Sequence, residues 1–212
     1  MRISRERMQL VPDYRLPCSL LAQPLKYSST CADSDGAEQA RPQPYKSEVV
    51  RFLYESKLIG TTETDPVVSL MGAELRYLFM TGANLQGADL QRTNLVEAEL
   101  FRVQLQEANL QEAYLGSAYL GEAGLRGTQL QHAQLYNVDL QGADLTGANL
   151  EGAELFEANL AGVDVSKAIG LTQEQLEVAL GDYKTQVPNY LERPEAWSVP
   201  IEEQRSRLTQ LP

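Results

Sequence analysis

The sequence predicts an all-β solenoid of square coils, and three observations predict it. Leucine returns every fifth residue between Ala73 and Lys167, through nineteen pentads without a break. The central position is Leu in seventeen of them, Met80 and Val165 being the exceptions. The position two before it is Ala thirteen times and otherwise Val, Thr or Leu78, so both positions read as interior.

A period of five suits neither regular element. On an α-helix five residues advance about 500°, so the leucines would step about 140° apart and cover every side. In one long strand an odd period throws each leucine to the opposite face. A turn after every pentad removes the conflict: Leu and the small residue two before it point inward, and the other three positions meet water. Four such sides close a coil of twenty residues. Stacked at the strand spacing of about 4.8 Å, nineteen pentads give roughly four and three-quarter coils and a rod about 23 Å long. The interior is then a column of leucines filled in by alanine, each buried Leu contributing about 1.5–3 kcal/mol.

The A(N/D)LXX beat, carried by pentads such as ANLQG, ADLQR and ADLTG, resembles the pentapeptide-repeat proteins over about 95 of the 212 residues. RFLYESKLIG and VVSLMGAEL before the repeats, and GLTQEQLEVALGDYKTQVPNYLERPEAW after them, look like the ends of a cyanobacterial-type member. The resemblance implies a right-handed quadrilateral β-helix, here of about five coils with short α-helical caps at both ends. It implies no catalytic motif and no cofactor.

Four segments are expected in order. Residues 1–46 mix Pro, Ser, Gln and both charges without period and read as a disordered tail. Met1–Leu10 is mostly polar and the apolar run Leu20–Ala22 is too short for a signal peptide, and no transmembrane stretch occurs, so a cytoplasmic chain without membrane association is expected. Residues 47–72 hold a capping helix and the entry to the first coil. Ser47 is placed to cap that helix, Val49, Val50, Phe52 and Leu53 supply one apolar side, and Gly60 stops it. Residues 73–167 are the solenoid. Residues 168–212 bring a second helix from Leu171 to Gly181, with Thr172 and Gln175 as a capping box, Leu171 and Leu176 as a staple and Gly181 as the left-handed stop. Beyond it, Pro188, Pro194 and Pro200 favour an extended path along the solenoid anchored by Trp197, with at most a weak turn over Glu202–Leu208.

Charge narrows the partners. The net −11 divides into 0 for residues 1–72, −8 for the repeats and −3 for the remainder. An acidic rod lacks the basic stripe that neutralises phosphates, so nucleic acid is not an expected ligand. Some members of the family are thought to mimic DNA on gyrase, and an acidic DNA mimic acting on a type II topoisomerase is the alternative reading. Against it, the thirteen repeat acids spread four, three, three and three over the four faces, with no acidic stripe.

Chemistry is sparse. His132 is the only histidine and falls on a corner without a cysteine near it in sequence, so no metal site is expected. Cys18 and Cys31, in the tail, pair only if oxidised and otherwise stand as free thiols. Solvated acid pairs such as Glu97 and Glu99 lack the burial that tunes a general acid, so no enzyme is expected.

Taking every twentieth residue separates the faces. On the face of Leu75, Leu95, Leu115, Leu135 and Leu155, the residue after Leu runs Arg76, Val96, Gly116, Tyr136, Phe156, and Tyr114 precedes Leu115. Its neighbour carries Phe79, Phe101 and Tyr119, while another face stacks Gln91, Gln111 and Gln131, whose amides are expected to ladder. Val96, Tyr114, Tyr136 and Phe156 are therefore the candidate interaction face of a noncatalytic scaffold, for an unknown protein partner or for a weak homodimer of a chain otherwise monomeric. The competing reading has the segment around Trp197 folding back over them.

Overall fold

A computed structural model describes residues 44–56, 58–59 and 69–209. The expected tail, with Cys18 and Cys31, lies outside the described residues, except that Pro44–Lys46 already belong to a helix. Gly60 also lies outside them.

Every pentad but the last turns by the same device. The N–H two places before one Leu donates to the carbonyl of the preceding Leu, as from Ala98 to Leu95 at 3.1 Å and from Ala118 to Leu115 at 2.9 Å. The second residue after Leu takes a left-handed backbone, φ +57 at Glu97 and +65 at Gly87, while the residue between does not, which defines a type II turn. The Asn or Asp before Leu has its own part in this. Its Oδ1 accepts the N–H two residues on, Asn94 from Val96 at 3.2 Å and Asp144 from Thr146 at 3.0 Å, an Asx turn that closes the bend from outside.

Coils stack through parallel bridges twenty residues apart. One side runs Glu74, Asn94, Tyr114, Gln134, Glu154 and the next runs Phe79, Glu99, Tyr119, Asp139, Asn159. Each is an isolated bridge; among the described residues none lengthens into a strand, because a five-residue side gives two residues to its turn. The interior is as the periodicity requires, with Leu125, Leu135 and Leu145 fully buried. Thr93 and Thr128 stand in the alanine position, also fully buried, and their hydroxyls donate to Leu70 O and Leu105 O at 3.0 and 2.8 Å, so neither hydroxyl is left unpaired. The glutamine ladder is only partial: Gln91 donates to Gln111 at 3.3 Å, but Gln111 turns to Gln129 at 2.7 Å instead of Gln131.

At the N-terminal end, helix α1 spans Pro44–Glu55 and so begins before the expected cap. Ser47 is buried within it and caps nothing; its Oγ accepts the Phe79 N–H at 2.9 Å. In inner coils the equivalent N–H finds a carbonyl of the preceding coil, as Glu99 finds Leu78 O at 2.8 Å, so Ser47 substitutes for a missing rung. The expected apolar side of α1 is split. Val50 and Leu53 enter the core, while Val49 and Phe52 are exposed. Leu70 is already buried and starts a turn to Ala73, so the register begins one pentad before the strict repeat.

The C-terminal end departs further from expectation. Helix α2 is only Gln173–Glu177, with the Thr172–Gln175 capping box in place. Its C-cap is Val178, not Gly181, because the chain returns to the ladder: Leu180 pairs with Asn159 and Gln186 with Asp164. Gly181 is required for another reason, since the Trp197 ring occupies the space a Cβ would need. After a 3-10 turn over Glu195–Ser198, helix α3 spans Ile201–Leu208. It is no frayed turn: Gln204 and Leu208 are buried.

Side chains meet the last edge where no further coil exists. The Trp197 indole donates to Ala179 O at 3.0 Å, Gln204 brackets the Gly181 peptide at 2.8 and 3.1 Å, and Arg193 donates to Thr185 O at 2.8 Å. Gln175 donates to Leu150 O and Ala153 O, both at 2.8 Å. Trp197 thus lies on the end of the stack, not along its side.

Candidate functional interface

The aromatic face is built by the repeat itself. Val96, Gly116, Tyr136 and Phe156 stand one above another, held in register by corner N–H groups of the preceding coil: Tyr77 to Val96 O, Glu97 to Gly116 O, Ser117 to Tyr136 O and Asn137 to Phe156 O, at 2.8–3.1 Å. Successive side chains are therefore about 4.8 Å apart along the rod. Tyr114 stands beside this column, 43% exposed, as is Phe156, with Tyr136 at 38% and Val96 half-buried. All four expected residues share one face. The Trp197 segment does not cover them, so the competing reading is overturned: Trp197 is committed to Ala179 and Gly181.

Gly116 is a residue whose part the sequence did not reveal. A Cβ there would collide with the Tyr136 ring, so the missing side chain is the seat on which that ring lies. Phe101 lies over Gly121 in the same manner on the next face. In both cases the glycine sits twenty residues from the aromatic, a one-coil step that would have betrayed the pairing.

Beside this face runs a groove of about 590 Å³ along the corner toward the side of Glu99, Tyr119, Asp139 and Asn159. Glu97, Ser117 and Asn137 form its corner edge, and Arg205 of α3 closes one end. The Arg205 Nε lies 3.3 Å from Glu157, whose side chain is only 14% exposed, and Nη2 lies 3.4 Å from Asn137 Oδ1. Glu97 has Arg76 at 3.6 Å. Among the described residues Asp139 accepts only neutral donors, the Gln141 N–H and the Asn159 amide, both at 3.1 Å.

Other corners carry ion pairs between coils, Arg92 with Glu112 and Arg102 with Glu122, at 2.9 and 2.8 Å. The Arg92 hydrogen bond holds the Glu112 carboxyl below its ordinary range. His132 is an exposed corner residue with its ring against Gly152. Among the described residues no group of three or more His, Cys, Asp or Glu is placed to hold a metal, and no helix is long and apolar enough to cross a membrane.

Turned coils of five-residue sides, stacked with a twenty-residue step, define a quadrilateral β-helix. The family model for pentapeptide repeats matches residues 69–103, 98–134 and 133–169, with eight copies, and through that segment the chain belongs to the pentapeptide-repeat family. No curated protein matches it. Among solved structures the chain is similar to a pentapeptide repeat protein of the Arabidopsis thaliana thylakoid lumen, at 23% identity over 72% of this chain and 97% of that one, with a TM-score of 0.43. It is also similar to HetL, a pentapeptide repeat protein involved in heterocyst differentiation regulation in the cyanobacterium Nostoc sp. strain PCC 7120, at 26% identity over 60% and 65% of the two chains, TM-score 0.35. A third is Rfr23 of the cyanobacterium Cyanothece 51142, at 24% identity over 68% and 96%, TM-score 0.27.

Proposed function

We propose that the chain is a noncatalytic protein-binding module: a rigid rod of about five coils, closed by its terminal helices, that presents the column of Val96, Tyr114, Tyr136 and Phe156 to a protein partner. The observation that carries this reading is that Tyr114, Tyr136 and Phe156 stay 38–43% exposed side by side on one face, although the C-terminal segment with its tryptophan passes over the end of the same rod. Aromatic rings bury large areas on binding at little rotamer cost, and a backbone ladder behind them means that little order is lost on association. The acidic surface favours a protein over a nucleic acid as the partner.

The test is the double substitution Tyr136→Ser with Phe156→Ser. Both side chains are already well exposed, so the melting temperature should stay within a few degrees of the parent while a partner captured from the source organism, or self-association seen by sedimentation, is lost. A large drop in melting temperature with capture retained would show that these rings serve packing and would sink the reading.

A further inference from the structure

Resting on the reading of the chain as a protein-binding module, we propose that the corner groove receives an extended, arginine-bearing segment of the partner, and that Arg205 already shows how such a guanidinium is held. The corner column along the groove reads Glu97, Ser117, Asn137, Glu157 in successive coils. Arg205 reaches the Asn137–Glu157 end from α3, 68 residues away in sequence from Asn137, and lays its guanidinium between an amide oxygen and a mostly buried carboxylate. One end of the groove is thus filled by a group of this chain. Farther along, Glu97 is held by Arg76 at 3.6 Å, while Glu99 and Asp139 face the groove with no cation among the described residues.

Glu99, Tyr119 and Asp139 follow one another in adjacent coils, bridged twenty residues apart, so acid, ring and acid repeat at steps of about 4.8 Å. Glu99 forms no ion pair among the described residues, and both partners of Asp139 are neutral. Tyr119 is 58% exposed between them. A planar cation stacked on a ring with carboxylates on either side is the setting that favours Arg over Lys, because Arg stacks and donates in a fork while Lys is a strongly hydrated point charge. Three acids against one base among the groove's lining leave it two negative charges in excess.

The experiment uses the full chain and a fluorescein-labelled RARARAR peptide, followed by fluorescence anisotropy, with a KAKAKAK peptide for comparison. Saturable binding of the arginine peptide, at least fivefold tighter than the lysine one, is expected. Glu99→Gln with Asp139→Asn should weaken it tenfold or more; the Asn keeps the oxygen that accepts the Gln141 N–H, and an unchanged melting temperature checks the fold. Glu74→Gln with Glu154→Gln makes the same charge change on the neighbouring face and should alter affinity less than twofold. Arg205→Ala should strengthen binding by vacating the occupied end.

Equal weakening by the two double variants would reduce the effect to net charge and overturn the proposal, as would equal affinity for the lysine peptide or no binding at all. Binding that emerges only after deletion of residues 1–43 would make this chain's own arginine-bearing N-terminal segment the occupant and overturn a partner in trans. Tyr136→Ser with Phe156→Ser separates the two readings. If it abolishes partner capture while RARARAR still fails to bind, the groove proposal falls alone; if RARARAR binds as expected but that pair leaves capture unchanged, the aromatic-face reading falls and the groove stands.

Discussion

Gly87 and Glu107 occupy the same corner in successive coils and adopt nearly the same backbone, φ +65 and +60. Their N–H groups make equivalent bonds, to Gln106 O and Arg126 O, both at 2.9 Å. A left-handed conformation costs an L-residue about 1–2 kcal/mol, whereas glycine forgoes that cost and loses about 0.5–1 kcal/mol more in chain entropy. Glu107→Gly should therefore stabilise the fold by about 0.5–1 kcal/mol. Gly87→Ala should destabilise it by a similar amount, and for backbone reasons alone, because nothing lies within 4 Å of the Cβ it would add. Glu107→Gln removes the charge without freeing the backbone and serves as the control. Urea denaturation followed by circular dichroism reads the three against the parent, with the slope checked for constancy so that midpoints convert to free energy. The double variant should return close to the parent. A destabilised Glu107→Gly, or a Gly87→Ala indistinguishable from the parent, would refute the view that corner conformation and not corner chemistry sets these energies.

Two further outcomes bear on the C-terminal end. Deleting Leu171–Pro212 removes the carbonyls of Leu180 and Gln186 that accept the N–H groups of Leu160 and Val165, and bares both buried side chains; self-association is expected by light scattering, and a clean monomer would count against a closing role. Burial raises the Asp182 pKa, but the N–H groups of Gly162, Lys184 and Thr185 and the Thr185 hydroxyl outweigh it and leave the group below the ordinary aspartate value. Its contribution is then complete above the unfolded-state pKa and lost as pH falls through the lower folded one. Asp182→Asn should lower the melting temperature at pH 7 and flatten its fall below about pH 4; an acid limb identical to the parent's would contradict that assignment.

The sequence by itself determined what repeats. A five-residue beat cannot satisfy a helix or a flat strand, so the period alone fixed turned sides, the inward column of Leu and Ala and the twenty-residue step. That step gathered Val96, Tyr114, Tyr136 and Phe156 on one face, because in a periodic stack position in the chain is position in space. Even the repeat held information that periodicity does not interpret: Asn and Asp before Leu mark an Asx turn, and Thr93 and Thr128 carry hydroxyls that bond across coils.

Where the beat stops, tertiary structure decided. Ser47 looked like a helix cap and became the acceptor for an orphaned N–H of the first coil. Gly181 looked like a helix stop and is the floor under Trp197. Trp197 was free, on sequence grounds, to cover the aromatic face, and it closed the end of the stack instead. Arg205 reached the corner groove across 68 residues with no pattern to announce it. The physical reason is common to all four: each is a contact between single groups outside the repeat, with backbone for Ser47 and Trp197, with a ring for Gly181 and with side chains for Arg205, and such pairings are nonperiodic, long-range and fixed only once the rod exists.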